Sequence, residues 1–101
     1  MKIEFDNIVR KNLSNEKIIK RSYGRMADKI IIRLSMLQAA NCLADIPNIP
    51  PTERHKLSGN YKGCWGISIE KNWRIVIRPI GTMMEPMDIK EIIIVDIVDY
   101  H

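Results

Sequence analysis

Pro47, Pro50 and Pro51 split the chain into halves with different hydrophobic periods, and that split constrains the fold more than any other feature. Each proline removes a backbone donor and turns its predecessor away from helical geometry, so no helix is expected to cross them. Before them, Tyr23, Met26, Ala27, Ile30, Ile31, Leu34, Leu37 and Ala40 recur at threes and fours, which predicts one helix from about Ser22 to Leu43. Arg25, Asp28, Lys29, Arg33 and Gln38 fall mostly on its other side. Ahead of it, Lys2-Ile3-Glu4-Phe5 alternates as a short strand. Asp6 then caps a short helix holding Ile8 and Val9, and Ser14 caps a second helical stretch with Glu16 near its positive end.

After the prolines the period is that of strands. Lys62 to Ile69 and Asn72 to Ile77 predict a hairpin joined through Glu70-Lys71-Asn72, with Asn accepting the left-handed position, and Lys90 to Val98 predicts a final strand. Residues 79 to 89, with Pro79, Gly81 and Pro86, form a long loop whose Met83, Met84 and Met87 are expected to fold back on the core. The expectation is a single domain over residues 1–101 of α+β class: a short N-terminal strand and a helical hairpin packed on one face of a twisted antiparallel sheet. Parity puts Trp65, Ile67, Ile69, Trp73, Ile75 and Ile77 toward the helices. It puts Arg74 and Arg78 on the opposite face, which is then open and basic.

Lys and Arg outnumber Asp and Glu by 16 to 12, a net charge of +4 that favours polyanionic partners. Cys42 and Cys64 form no CxxC and are read as apolar fillers in a reducing compartment. The two cysteines and two histidines lack zinc-ligand spacing. Met1-Lys2-Ile3-Glu4-Phe5-Asp6 has no apolar leader, and no run reaches the ~18 apolar residues of a membrane span. A cytoplasmic protein with no membrane association, metal or cofactor is expected.

Two places hold proton-handling groups. Asp99-Tyr100-His101 follows the apolar run directly, and His55 lies within Arg54-His55-Lys56. Alternation puts Asp99 and His101 on one face and Tyr100 on the other, so the three can meet only if the regular strand ends at Val98. Cleavage of RNA by its own 2'-hydroxyl needs a base, an acid for the departing 5'-oxygen, and cations for the charged phosphorane. His55 and His101 suit the proton transfers. Arg74 suits the phosphate because its planar fork donates two parallel hydrogen bonds. Tyr100 offers a stacking surface or a phenol donor, and Arg54, Lys56, Ser58, Lys62 and Arg78 are candidates to hold the RNA backbone. The same groups admit a plainer reading: arginines on an exposed strand face are usually solvated, and Arg54, Lys56 and Lys62 can equally dock an acidic protein.

The stretch Arg54-His55-Lys56-Leu57-Ser58-Gly59-Asn60-Tyr61-Lys62-Gly63-Cys64-Trp65-Gly66-Ile67-Ser68-Ile69, then Asn72-Trp73-Arg74-Ile75 and the closing Val98-Asp99-Tyr100-His101, resembles the HigB-type toxins of the RelE/ParE superfamily. The H-x-L-x-G, W-x-[IV]-x-[IV] and N-[WY]-R-[IL] blocks occur in order. The resemblance implies a RelE-like fold, ribosome-dependent mRNA cleavage without metal, and neutralisation by a cognate HigA-like helix-turn-helix antitoxin. It implies that His55, Asp99, Tyr100 and His101 support cleavage and that Arg74 contacts phosphate. Ser58 departs from a lysine common at that position, with Lys56 two residues earlier as a partial substitute. Two alternatives stay open: a ParE-like toxin that poisons DNA gyrase, and a non-catalytic family member that only binds its antitoxin.

Overall fold

The computed structural model describes residues 1–100, so the expectations for His101 lie outside the described residues. The alternating start forms β1 (Lys2–Phe5), and the Asp6 carboxylate accepts from the Ile8 amide to open α1 (Asn7–Arg10). The next cap is Asn15, correcting Ser14: its side-chain oxygen accepts from the Ile18 amide at 2.9 Å and opens α2 (Glu16–Tyr23). Ser14 instead donates its hydroxyl to the Lys11 carbonyl.

The single helix expected over Ser22 to Leu43 is also corrected. Gly24, at φ +56°, closes α2, a 3-10 turn over Gly24–Met26 follows, and α3 spans Ala27–Ala39. Glycine stops a helix cheaply because it takes positive φ without a Cβ penalty. The break lets two amphipathic helices pack together over one sheet face. Leu43 falls in a separate turn, Leu43–Asp45, whose first amide bonds the Ile89 carbonyl.

The sheet adds β2 (His55–Lys56), β3 (Trp65–Glu70), β4 (Trp73–Pro79) and β5 (Glu91–Asp99), in the order β1-β5-β4-β3-β2. From β2 to β5 every pairing is antiparallel. β1 joins β5 in parallel, with Ile3 opposite Ile92, which corrects the wholly antiparallel expectation at that edge. The helices and the rest of the sheet separate β1 from β5 along the chain, so no hairpin dictates their direction.

Trp65, Ile67, Ile75 and Ile77 meet Ile30, Leu34 and Leu37 of α3 in the main core, as parity predicted, and Ile92 and Ile94 of β5 join them. Arg33 does not lie on the solvent side of α3. It is 7% exposed and donates its Nε to the Ser68 carbonyl at 2.9 Å, beside a register shift between Ser68 and Glu70. At the hairpin turn Lys71 takes the left-handed conformation (φ +47°) rather than Asn72. Met83, Met84 and Met87 are exposed, correcting the expectation that they fold back; Ile89 anchors the loop instead.

Candidate functional site

The sheet face away from the helices is not simply open and basic. Leu57, Cys64 and Val76 are buried there, with Tyr61, Val95, Val98 and Tyr100 packed against them. The turn Gly59–Tyr61 folds over this small second core, and the Tyr61 and Tyr100 rings approach to 6.4 Å between centroids. Cations stand at its margins rather than across it.

His55 lies on this face. Its cross-strand partner is Gly66, where a side chain would meet Leu57 Cδ2 at 2.9 Å and His55 Cε1 at 3.3 Å. A glycine inside a strand marks such a close approach. Only the bare backbone admits the ring and Leu57 together. The imidazole Nδ1 donates to the Glu53 carbonyl at 2.7 Å, because a carbonyl can only accept. That bond leaves the Nε2 lone pair as the basic position. Glu53 itself sits at φ +45°, in a loop closed by bonds from the Thr52 hydroxyl and the Arg54 amide to the Pro47 carbonyl.

Tyr100 shares the face. Its phenol oxygen accepts from the Ser58 amide and lies 3.3 Å from the Ser58 hydroxyl. Those two contacts, the hydroxyl first, hold the phenol below its ordinary value, because donors favour the phenolate. The regular strand does not end at Val98: β5 continues through Asp99, and the Tyr100 amide donates to the Asn72 carbonyl at 2.8 Å. Asp99 pairs with Trp73, whose ring packs on the main core, so Asp99 projects to the helix side of the sheet and not beside Tyr100.

Arg74 pairs with Ser68 on one side and Val98 on the other, which places it on the face of His55 and Tyr100. Its guanidinium is drawn back to the hairpin turn, Nη1 donating to the carbonyls of Lys71 at 2.7 Å and Trp73 at 3.1 Å. Its buried Nε, and the buried hydroxyl of Ser68 opposite, have no hydrogen-bond partner among the described residues. An orphaned buried donor costs about 1–3 kcal/mol, so this corner lacks an acceptor.

Arg54 and Lys56 turn away from His55. Lys56 pairs with Trp65, and both cations lie over that indole, Arg54 Cζ at 5.2 Å and Lys56 Nζ at 5.6 Å from the ring centre. The Arg54 Nε donates to the Ile46 carbonyl, so part of this cation is structural. Lys56 also lines a groove with Lys62 and Arg78 at the far end of the face. Cys64 lies on that groove's floor, its thiol pushed up by burial and partly drawn back by the Arg78 charge.

The structure therefore gathers His55, Ser58, Arg74 and Tyr100 on one face, with Lys62 and Arg78 at its end. Sequence reasoning missed Gly66, Tyr61 and the Glu53 carbonyl. Only Gly66 carried a visible signal, as a glycine among alternating bulky residues.

The described fold is shared with solved bacterial toxins. A YoeB/ParE toxin from Agrobacterium tumefaciens matches at a TM-score of 0.60 and 17% identity, over 100% of this chain and 99% of that one. A chain of a YoeB-YefM complex from Staphylococcus aureus matches at 0.59 and 18%, over 100% and 97%. A point mutant of YafQ from E. coli matches at 0.59 and 16%, over 94% and 88%. No curated protein sequence matches this one. The family model for the RelE-like toxin of the type II toxin-antitoxin system HigB matches residues 6–101, and the chain belongs to that family. Among the described residues no helix is long and apolar enough to cross a membrane.

Proposed function

We propose that this toxin is an endoribonuclease that cleaves mRNA on the ribosome, acts in the cytoplasm, and is neutralised by a cognate HigA-like helix-turn-helix antitoxin. The observation that carries the reading is the His55 imidazole, tied through Nδ1 to Glu53 and presenting Nε2 on the face that holds Arg74 and Tyr100. In this scheme Nε2 takes the proton of a ribose 2'-hydroxyl. The 2'-oxygen attacks the adjacent phosphorus, the bond from phosphorus to the 5'-oxygen breaks, and the products are a 2',3'-cyclic phosphate and a 5'-hydroxyl. Arg74, on the same face, is the cation that stabilises the charged phosphorane. The departing 5'-oxygen takes a proton from Tyr100, whose phenol the Ser58 contacts make more acidic, or from His101. Lys62 and Arg78 meet the flanking phosphates. The YoeB-YefM complexes are the structural precedent for a bound antitoxin.

The test is a reconstituted translation reaction with purified toxin and mapping of the new 5' ends. The reading predicts cuts in ribosome-bound mRNA that disappear with His55→Asn. Intact mRNA, from a preparation that still binds its antitoxin, ends the proposal; inhibition of gyrase supercoiling by that preparation would put the ParE-like reading in its place.

A further inference from the structure

The groove at the end of the His55 face is about 560 Å³. That lies within the ~300–1,000 Å³ of small-ligand sites. Its walls are apolar, formed by Leu57, Trp65 and the Met83-Met84 pair, and its charged lining residues are Lys56, Lys62 and Arg78. No Asp or Glu lines it among the described residues. Met83 and Met84 are 58% and 72% exposed and belong to neither core. Two large apolar side chains held in water beside cations form a seat for something both flat and anionic.

Continuity with the candidate site decides what occupies it. Leu57 and Cys64 belong both to the second core under His55 and to the floor of this groove. Arg78 stands four residues along β4 from Arg74 on the same face, about 13 Å at strand spacing. A single strand of RNA that reaches from Arg74 to Arg78 crosses the Tyr61 and Tyr100 cover over Val76 and arrives at the groove. We infer that the groove is a nucleotide subsite for RNA flanking the cleaved bond, with a base lying against the Met83 and Met84 thioethers and its phosphate between Lys62 and Arg78. Methionine suits this because its polarisable sulfur packs on an aromatic face and its flexible chain adapts to any base. The subsite therefore grips a flanking base by shape more than by sequence. It acts on binding and not on bond breaking.

This inference rests on the proposed RNA cleavage, and the test separates the two. Met83→Ala/Met84→Ala removes only exposed side chains, so the melting temperature stays at the wild-type value. The double variant is expected to raise KM about five- to fifty-fold with kcat unchanged. It should weaken binding of a short RNA carrying a 2'-O-methyl block at the cut site by the same factor. Lys62→Gln should lower the salt dependence of that binding by about one counterion. Unchanged KM and unchanged RNA binding in the double variant overturn the subsite. So does a double variant that binds RNA normally and no longer binds antitoxin, since the groove then serves a protein. If the wild type cuts no mRNA and its binding of the blocked RNA depends on Met83 and Met84, the subsite stands and the cleavage proposal falls.

Discussion

Gly66→Ala is the sharpest test of how His55 is held. The added Cβ lies 2.9 Å from Leu57 Cδ2 and 3.3 Å from His55 Cε1. Carbon atoms rest at about 3.5–4.0 Å, so the methyl overlaps Leu57 by roughly half an ångström or more. Leu57 is buried with Cys64 and Val76, so its Cδ2 can yield only toward the groove that it also lines. Two effects oppose. Alanine narrows the unfolded ensemble and stabilises by about 0.4–1 kcal/mol. Overpacking a filled site costs about 1–3 kcal/mol. The second wins, leaving a net loss of about 1 kcal/mol, or about 4–8 °C in melting temperature for a domain of this size. Urea unfolding with an unchanged slope reads it. A double-mutant cycle isolates the contact. Leu57→Ala alone costs about 2–5 kcal/mol through the cavity it leaves. With alanine at position 66 the new methyl fills part of that cavity, so the double variant costs less than the sum by at least about 0.5 kcal/mol. Wild-type stability in Gly66→Ala, or strict additivity in the cycle, refutes the packing argument.

Other outcomes follow from the same structure. His55→Asn keeps a donor near the Nδ1 position for the Glu53 carbonyl and removes the Nε2 base, so mRNA cleavage should fall by about 100-fold or more, with stability within about 0.5 kcal/mol of wild type. In an ultraviolet titration Tyr100 should ionise below pH 10 and Tyr23 above it, the first because of Ser58, the second mainly because of burial; Ser58→Ala should return Tyr100 toward 10. The signs differ in stability: the Tyr100 contribution is present above its unfolded value and lost as pH falls through the depressed one, whereas that of Tyr23 is present below pH 10 and lost as pH rises through its raised value. Arg33→Met strips the Ser68 carbonyl of its buried partner and should lower stability by about 1–3 kcal/mol in urea unfolding, with the sheet retained by circular dichroism.

The helix-facing core was legible because alternation is a local property: Trp65, Ile67, Ile75 and Ile77 lie where parity put them. Helix ends were less legible, since Ser14 and Asn15 are both capable caps and only backbone geometry chose Asn15. Gly24 was visible, but a glycine within a helical pattern reads equally as a tolerated defect or a stop. Arg33 was misplaced because periodicity sorts side chains by type, and a long arginine can cross a core to reach a carbonyl beside a sheet irregularity. The parallel edge of β1 is a long-range pairing with no local signal.

The candidate site shows the same division more sharply. Strand parity alone set Tyr100 apart from Asp99, and the structure keeps that separation, with β5 regular through Asp99. Parity could not foresee how Tyr100 finds company on its own face. The Ser58–Tyr61 segment bends back over the sheet, so that Ser58 meets the phenol and Tyr61 meets the ring, while Leu57 fills the floor beneath them. Positive φ at Gly59 and Gly63 brackets that bend, and neither glycine has an atom within 4 Å of where a Cβ would stand. These two glycines serve backbone direction, and Gly66 serves space. Alanine at Gly59 or Gly63 should therefore loosen the cover over Tyr100 without touching Leu57. The Ser58 contacts would weaken, and the Tyr100 phenol would titrate closer to its ordinary value even though no side chain of the site had been changed. Gly66→Ala should instead move the His55 ring and leave the Tyr100 titration where it was. If all three alanine variants shift Tyr100 equally, the face is one cooperative unit and not a base and an acid held by separate segments.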